Sequence, residues 1–172
     1  FTYASPDVSN FQVYAVRPEE ESKDVKFLLS SSSPFPIAEL TSSKYENVYD
    51  GERWNLSVRV RPDKYPMTQD VTGSATTSYV VEFHGVNMIN GFPQNEFLLT
   101  SSMTQTQGEN FLKSGKRIYA GAHRQNFTAS LVNYQNIAHD ALTDVHLASV
   151  RYWATYLEQD VINAHARDPE RH

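Results

Sequence analysis

The stretch Trp54-Asn55-Leu56-Ser57-Val58-Arg59-Val60-Arg61 decides the fold class of this chain. Apolar and polar residues alternate along it without a break, so the apolar side chains share one face and the polar side chains share the other. A period of two predicts a β-strand that is buried on one face. Asp50-Gly51 ahead of the stretch is typical of a turn, and Pro62 behind it ends the pairing of a strand with its neighbour.

Other segments carry the same alternation, are rich in Val, Tyr, Phe and Thr, and are separated by turn residues. We expect further strands at Phe11–Arg17, Val25–Ser30, Tyr79–Val86, Glu96–Met103, Arg117–Ala122, Phe127–Asn133 and Thr143–Tyr152. The last of these needs a β-bulge near Ala148-Ser149, because the alternation breaks there. Alternation also predicts six core side chains: Trp54, Leu56, Val58, Val60, Phe83 and Phe97.

One helix is expected, near the C-terminal end of the chain. Thr155 and Glu158 form a capping-box pattern, and Leu157, Val161 and Ala164 recur at helical spacing. Many short strands with a single short helix, and no alternation of strands with long helices, favour two packed antiparallel sheets over a βαβ fold. The sequence therefore predicts an all-β class.

Length, composition and charge restrict the possible functions. The chain has 172 residues, 40% of them hydrophobic and 20% charged, which is enough apolar material for the core of a single domain, residues 1–172. The 15 Lys and Arg residues are outnumbered by 20 Asp and Glu residues and form no run longer than two, so we expect no nucleic-acid partner. Without cysteine, the chain has no disulfide, thiolate zinc site or cysteine nucleophile.

The ends of the chain and its apolar stretches bear on its setting. No stretch approaches the ~18 consecutive apolar residues of a membrane-spanning helix, so we expect no membrane partner. The chain begins without Met and closes on the polar, Pro-containing residues 167–172. We therefore expect it to be a fragment of a longer chain.

Three segments carry a pattern that extends over roughly the last 120 residues: DGERWNLSVRV (residues 50–60), RIYAGAHRQNFT (117–128) and DVHLASVRYW (144–153). In order and spacing they resemble the concanavalin A-like (laminin-G-like) lectin and glucanase modules. The resemblance implies a two-sheet antiparallel jelly-roll sandwich, closed by the last strand and the short C-terminal helix. The first 45 residues match no motif of these modules.

Two shorter strings, GAHRQNFT (residues 121–128) and HARDP (residues 165–169), resemble lectin-like modules within large structural proteins of tailed bacteriophages. That resemblance implies a virion protein, exposed on an extracellular particle. Its partners would be other virion subunits or neighbouring domains of the parent chain. A secreted or cell-surface protein is the alternative location.

The enzymatic members of such a family place carboxylates on one strand as Glu-x-Asp-x-x-Glu, because retaining hydrolysis needs two carboxyl groups ~5 Å apart. The nearest string here runs from Glu158 through Asp160 to Asn163, so an amide stands where the acid belongs, and the segment is helical in pattern. No Gly-x-Ser-x-Gly elbow and no glycine-rich phosphate loop occur. We therefore expect no catalytic residue.

Candidate binding residues lie in loops that combine amides with an aromatic ring, a mixture that can hydrogen-bond hydroxyls and stack on a sugar face. They are Asn87, Asn90, Tyr134 and Asn136. The same residue types are ordinary turn content. Asp140 and Asp144 are weak calcium candidates, since two carboxylates are few for an ion that takes ~6–8 oxygens. No other cofactor or metal is expected.

The sequence thus predicts a non-enzymatic structural or surface-display module of a larger virion protein. Two alternatives stay open at this point. One is a carbohydrate-binding, lectin-like domain for attachment to a host surface, and the other is a glycoside hydrolase of the laminarinase type. The fold class does not choose among them, because sandwiches carry unrelated functions.

Overall fold

The computed structural model describes residues 11–31, 37–64, 78–113, 118 and 146–168. Within these ranges the chain is mostly β-structure with two short helices. Along the chain the elements are β1 (Phe11–Val16), β2 (Val25–Ser31), β3 (Leu40–Tyr45), β4 (Trp54–Pro62), β5 (Tyr79–Ile89), β6 (Phe92–Met103), α1 (Gln105–Lys113) and α2 (Gln159–Arg167). Neither described helix has the length and apolar character needed to cross a bilayer.

The strands form two antiparallel sheets of three strands each, in the orders β1-β2-β3 and β4-β5-β6. In the second sheet Val58 of β4 lies opposite Phe83 of β5, which lies opposite Leu99 of β6. This register places Val58, Phe83 and Leu99, with the apolar residues that share their phase, on one face. It confirms the face assignment that alternation predicts for residues 54–61.

The two sheets contribute to one hydrophobic core, in a β-sandwich-like arrangement. Phe27 of the first sheet lies 4.8 Å from Trp54 and 5.8 Å from Phe97 of the second sheet, measured between ring centroids. Phe83 meets Phe97 edge-on at 5.1 Å. These separations are in the range where aromatic pairs attract beyond their buried area. The core is completed by further buried side chains from both sheets: Val25, Leu29, Tyr79, Val81 and Met103.

Five of the six predicted core side chains fulfil the prediction, since Phe83 and Phe97 are buried and Trp54, Val58 and Val60 pack against the core. The prediction is wrong for Leu56, which is 37% exposed. Leu56 lies opposite Gly85. Its side chain leans over that glycine and takes no place in the core cluster.

The prediction missed β3, whose sequence Leu-Thr-Ser-Ser-Lys-Tyr does not alternate in polarity. The buried position in β3 is occupied by Ser42, which is 5% exposed. Its hydroxyl accepts a hydrogen bond from the backbone N–H of Phe27 at 2.9 Å and donates one to the carbonyl oxygen of Ser43 at 2.7 Å. A hydroxyl that both accepts and donates a hydrogen bond can be buried at little cost. A serine at the inward position nevertheless removes the alternation of apolar and polar residues by which a strand is predicted.

Strands β5 and β6 extend beyond their predicted ends and meet in a two-residue hairpin turn. Asn90 and Gly91 both have positive φ, at 52° and 81°. This pair of left-handed residues suits the tight turn whose twist matches the flanking strands. Pro93 is accommodated near the start of β6, which lies at the edge of the described sheet.

Helix α1 is an addition to the single predicted helix. Its start carries a reciprocal cap, because the Thr104 N–H donates to Gln107 Oε1 at 3.0 Å and the Gln107 N–H donates to Thr104 Oγ1 at 3.3 Å. The Thr-x-x-Gln pattern was therefore a usable signal. Gly108 within the helix masked it, since glycine disfavours helices.

The predicted capping box at Thr155 and Glu158 is wrong. Helix α2 begins at Gln159, and its N-cap residue Glu158 makes no side-chain capping bond. The reason lies just upstream, where Arg59 donates to the carbonyl oxygen of Leu157 at 3.1 Å and holds that residue against the sheet. The predicted helical character of this segment is confirmed from Gln159 onward.

The closing strand predicted for Thr143–Tyr152 is wrong over residues 146–152, which have no regular secondary structure. Leu147, Val150 and Tyr152 are all exposed there. The break in alternation at Ala148-Ser149 thus marks irregular backbone and not a bulge. Residues 143–145, and nearly all of the two strands predicted at 117–122 and 127–133, lie outside the described residues, while Ile118 is in no strand.

The predicted antiparallel two-sheet arrangement is confirmed in this coarse form. Each described sheet consists of strands that are consecutive in the chain. A jelly roll is built from Greek keys, in which neighbouring strands come from distant parts of the chain. That finer connectivity is not seen among the six described strands and stays a prediction.

Candidate functional site

The structure brings two of the predicted binding residues together at one end of the β4-β5-β6 sheet. Residues 50–53, ahead of β4, and residues 87–90, at the end of β5, line an open cavity of about 360 Å³. Asn87 and Asn90 both belong to this lining. The other two predicted binding residues, Tyr134 and Asn136, lie outside the described residues, as do the calcium candidates Asp140 and Asp144.

Asn87 lies near the end of β5 and not in the predicted loop, and it joins the two segments that form the cavity. Its side chain is fully buried, and its Nδ2 donates to the backbone carbonyl of Arg53 at 3.1 Å. Its Oδ1 has no hydrogen-bond partner among the described residues. A buried side-chain amide with this contact fixes the height of residues 50–53 above the sheet, so Asn87 shapes the floor of the cavity.

The groups at the rim are polar and partly exposed. Asp50 forms an ion pair with Lys23 at 2.8 Å, and Glu52 Oε2 accepts a hydrogen bond from the indole nitrogen of Trp54 at 3.2 Å. Asn90 is exposed in its turn. Close to it Phe92 is 70% exposed, the largest such fraction among the large hydrophobic residues that the structure describes. The rim thus offers donors and acceptors beside an exposed ring.

A second polar cluster occupies the outer face of the same sheet and involves residues that the sequence did not single out. It centres on Glu82 in β5, which is buried although it is charged. Glu82 Oε1 pairs with Arg61 Nε at 2.7 Å, and Glu82 Oε2 pairs with Arg59 Nη2 at 3.0 Å. The Tyr156 hydroxyl donates to Glu82 Oε2 at 3.0 Å. Both carboxylate oxygens are therefore engaged.

The pKa values of the groups around Glu82 reflect this engagement. The hydrogen bond to Glu82 raises the pKa of Arg61, against a smaller opposing effect of burial. The pKa of Tyr156 is raised by burial first and by its hydrogen bond to Glu82 second. Each shift favours the protonated donor, which keeps the carboxylate supplied with hydrogen bonds.

His84, two residues along β5, extends the cluster towards β6. Its side chain is fully buried, and its Nε2 lies 2.6 Å from Gln159 Nε2 and 2.9 Å from Glu96 Oε1. Gln159 Oε1 accepts a hydrogen bond from Arg59 Nη2 at 2.7 Å. Burial lowers the pKa of His84, and this effect exceeds the opposing influence of Glu96.

One segment of the chain covers this cluster, and we call residues 156–167 the strap. Its first part contributes Tyr156, the Leu157 carbonyl and Gln159 to the polar contacts. Its second part is helix α2, where Ala166 packs against Val86 and Met88 on the outer face of β5. Arg53 Nη2 also reaches the Ala166 carbonyl oxygen at 3.4 Å, which links the strap to the cavity.

Sequence reasoning missed this cluster because its partners are far apart in the chain. Arg59 and Gln159 are separated by 100 residues, and Tyr156 and Glu82 by 74. Glu82 and His84 alternate with the core residues Val81 and Phe83 along β5, but alternation carries no information about what covers the opposite face. Charged residues at successive outward positions of neighbouring strands were the only available signal.

The string considered for glycoside hydrolysis lies in and just before α2. Glu158 and Asp160 are exposed, and Asn163 Oδ1 lies 3.3 Å from Gln159 Nε2. In the described ranges of the chain no group of three or more His, Asp or Glu side chains is placed to hold a metal ion.

No protein-family model, curated protein or solved structure matches this chain.

Proposed function

We propose that this chain is a non-enzymatic structural or surface-display module of a larger virion protein, of concanavalin A-like jelly-roll type. Its work would be to dock against neighbouring subunits or domains and to present a surface on an extracellular particle. The jelly-roll connectivity rests on the sequence strings at residues 50–60, 117–128 and 144–153, and the virion setting rests on the shorter strings at residues 121–128 and 165–169.

The observation that supports a non-enzymatic role is the state of the buried carboxylate. A catalytic acid or nucleophile needs an oxygen that can reach the substrate. Glu82 has both oxygens bonded to Arg59, Arg61 and Tyr156, and the strap lies above it. In this arrangement the carboxylate serves to fix the strap to the sheet.

Two assays test the proposal. Incubation of the chain with laminarin and with agar-type polysaccharides should release no reducing sugar above a blank without protein. A gold-labelled antiserum raised against the chain should decorate particles produced from the genome that encodes it. Release of reducing sugar above the blank, or particles that carry no label, would contradict the proposal.

The second candidate is carbohydrate binding for attachment to a host surface, and the cavity at residues 50–53 and 87–90 favours it. Its volume of about 360 Å³ falls within the range of small-ligand sites. In this reading Asn90, Asp50 and Arg53 would contact sugar hydroxyls, and Phe92 would stack on a sugar face. Asn87 would support the floor.

A glycan array followed by calorimetry tests this candidate, with a matched pair of variants. Asn90→Gly removes the side chain while the glycine keeps the positive φ of 52°. Asn47→Gly does the same at a φ of 56°, at a residue outside the cavity lining. We expect Asn90→Gly to lower the affinity for an identified glycan about tenfold, which corresponds to one hydrogen bond of about 1.4 kcal/mol. Asn47→Gly should leave the affinity unchanged. Equal affinities in both variants would exclude the cavity as the site.

A further inference from the structure

The contact between the strap and the sheet contains a buried histidine whose two ring nitrogens have unequal surroundings. His84 Nε2 faces Gln159 and Glu96, whereas His84 Nδ1 is buried and has no hydrogen-bond partner among the described residues. The ring is inaccessible to solvent while the strap is in place. The protonation state of this ring therefore bears directly on the strap.

The hydrogen-bond pattern at His84 fits the neutral ring. Gln159 Oε1 accepts from Arg59 at 2.7 Å, which turns the Gln159 amide so that Nε2, a donor only, faces the ring at 2.6 Å. The tautomer that suits this contact is the neutral ring with its proton on Nδ1 and with Nε2 as acceptor, although Glu96 Oε1 at 2.9 Å would accept from a proton on Nε2. In the protonated ring, Nε2–H would point at the Gln159 N–H, and Nδ1–H would still lack an acceptor.

Charged groups face the ring from every element around it. Arg59 of β4 opposes a positive ring, whereas Glu82 of β5 and Glu96 of β6 favour one. Gln159 of the strap contributes no charge. The side chain of Glu96 is 40% exposed, so water screens it, and Glu82 is already neutralised by two arginines. A proton on His84 Nε2 would therefore have one weak acceptor, Glu96, and would be opposed by the Gln159 N–H.

We propose that the strap is a pH-sensitive closure of the outer sheet face, which stays shut while His84 is neutral and opens when His84 takes up a proton. Opening would expose Arg59, Glu82 and the apolar pair Val86 and Met88 to a neighbouring molecule. The closure is thus a means of presenting that face only under acidic conditions.

The direction with pH follows from the two states of the ring. A hydrated histidine titrates near pH ~6.5, and burial lowers the pKa of His84 in the closed state. The closed state is therefore fully favoured above pH ~6.5 and loses ground as the pH falls through and below that value. One proton limits the change to about tenfold in the opening equilibrium for each pH unit.

Amide hydrogen exchange followed by mass spectrometry tests the closure on the whole chain. Exchange is measured between pH 7.5 and 5.5 and corrected for the pH dependence of the chemical step. We expect protection of peptides from residues 156–167 to fall by up to about tenfold between pH 6.5 and 5.5, while peptides from β5 keep their protection. Strap and sheet peptides that respond equally, or not at all, would overturn the proposal. Fluorescence is a poorer readout, because Trp153 lies 5.2 Å from His165 and would report on that ring as well.

Two variants and a control separate His84 from other titrating groups. His84→Gln should make strap protection independent of pH. Gln159→Glu places a carboxylate on the partly exposed strap. When His84 is protonated, this carboxylate accepts its hydrogen bond, and when His84 is neutral, it repels Glu96. Protection of the strap should therefore rise as the pH falls. This inverted response remains measurable even when His84→Gln does not fold. His165→Gln is the control and should keep the wild-type response. An acid response that disappears in His165→Gln, or that persists unchanged in Gln159→Glu, would refute the role of His84.

Discussion

At the scale of single residues, Glu82 is the described side chain that depends most on its partners, because it is a buried carboxylate. It is 5% exposed in the middle of β5, and burial of an unpaired carboxylate would cost several kcal/mol. Arg59 and Arg61 offset that cost, and the set as a whole need not add net stability compared with an apolar trio. What the set does impose is dependence on Glu82, since its removal deprives both Arg59 and Arg61 of their ion-pair partner.

Glu82→Gln tests this dependence with almost no change in shape. The variant leaves Arg59 buried without its counter-ion, so we expect a loss of about 3–5 kcal/mol in the free energy of unfolding. Urea denaturation measures it. The control is Glu109→Gln in the exposed ion pair with Lys113, where stability should hardly change. Similar losses in both variants would mean that the Glu82 pairs behave like surface contacts.

A second residue-scale prediction concerns the core face of the sheet. Phe83 is fully buried between the sheets, so Phe83→Ala should cost about 3–5 kcal/mol, measured by the same denaturation. Leu56 lies on the same face but is 37% exposed, and Leu56→Ala should cost clearly less. A larger effect at Leu56 would restore the simple alternation reading, in which every apolar position of β4 is equally buried.

At the scale of elements, strands with a regular period were predictable and those with a polar inward residue were not. β4 alternates cleanly, whereas β3 places Ser42 inward and gives no signal. Asn87 and Asn90 could be selected because amides close to an aromatic residue are visible locally, although only Asn90 lies in the turn and Asn87 lies in β5. Their neighbours at residues 50–53 could not, since two turns meet only through the pairing of β4 with β5. Long-range pairing is a property of the folded chain and leaves no local trace.

Helix α1 offers an element-scale test, because its glycine packs against a strand. A Cβ at Gly108 would overlap the Tyr79 ring. Gly108→Ala should therefore destabilise the protein by about 1–3 kcal/mol, although the same change in a free helix stabilises by about 1 kcal/mol. Thermal unfolding measures the sign. Thr106→Ala, at an exposed position of α1, should stay within about 0.5 kcal/mol, and a gain in Gly108→Ala would show that α1 does not rest on Tyr79.

At the scale of the molecule, the two described sheets depend on one another through their shared core. Trp54 lies 4.8 Å from Phe27 and 4.7 Å from Tyr45, so a side chain of the second sheet is enclosed by rings of the first. Neither three-stranded sheet keeps a buried apolar face without the other. The described part of the chain should therefore unfold as one unit.

Unfolding as one unit is tested by comparing two spectroscopic probes, tryptophan fluorescence and circular dichroism. In a Trp153→Phe variant, Trp54 is the sole tryptophan and reports on the junction of the sheets. Its fluorescence and the far-ultraviolet circular dichroism should change at the same urea concentration. Loss of fluorescence at a distinctly lower concentration would indicate that the sheets separate before either one melts.

The distance in sequence between the strap and its sheet also sets an order of events during synthesis. Arg59 and Gln159 are 100 residues apart, which a ribosome covers in about 5–20 s at ~5–20 residues per second. From the completion of β6 at Met103 until the end of that interval, the sheet lacks its contacts with Tyr156 and Gln159, and the apolar pair Val86 and Met88 is uncovered. A nascent chain in that state is accessible to chaperones and to neighbouring copies. The sheet face that the strap later covers is therefore exposed while the polypeptide is still being synthesised.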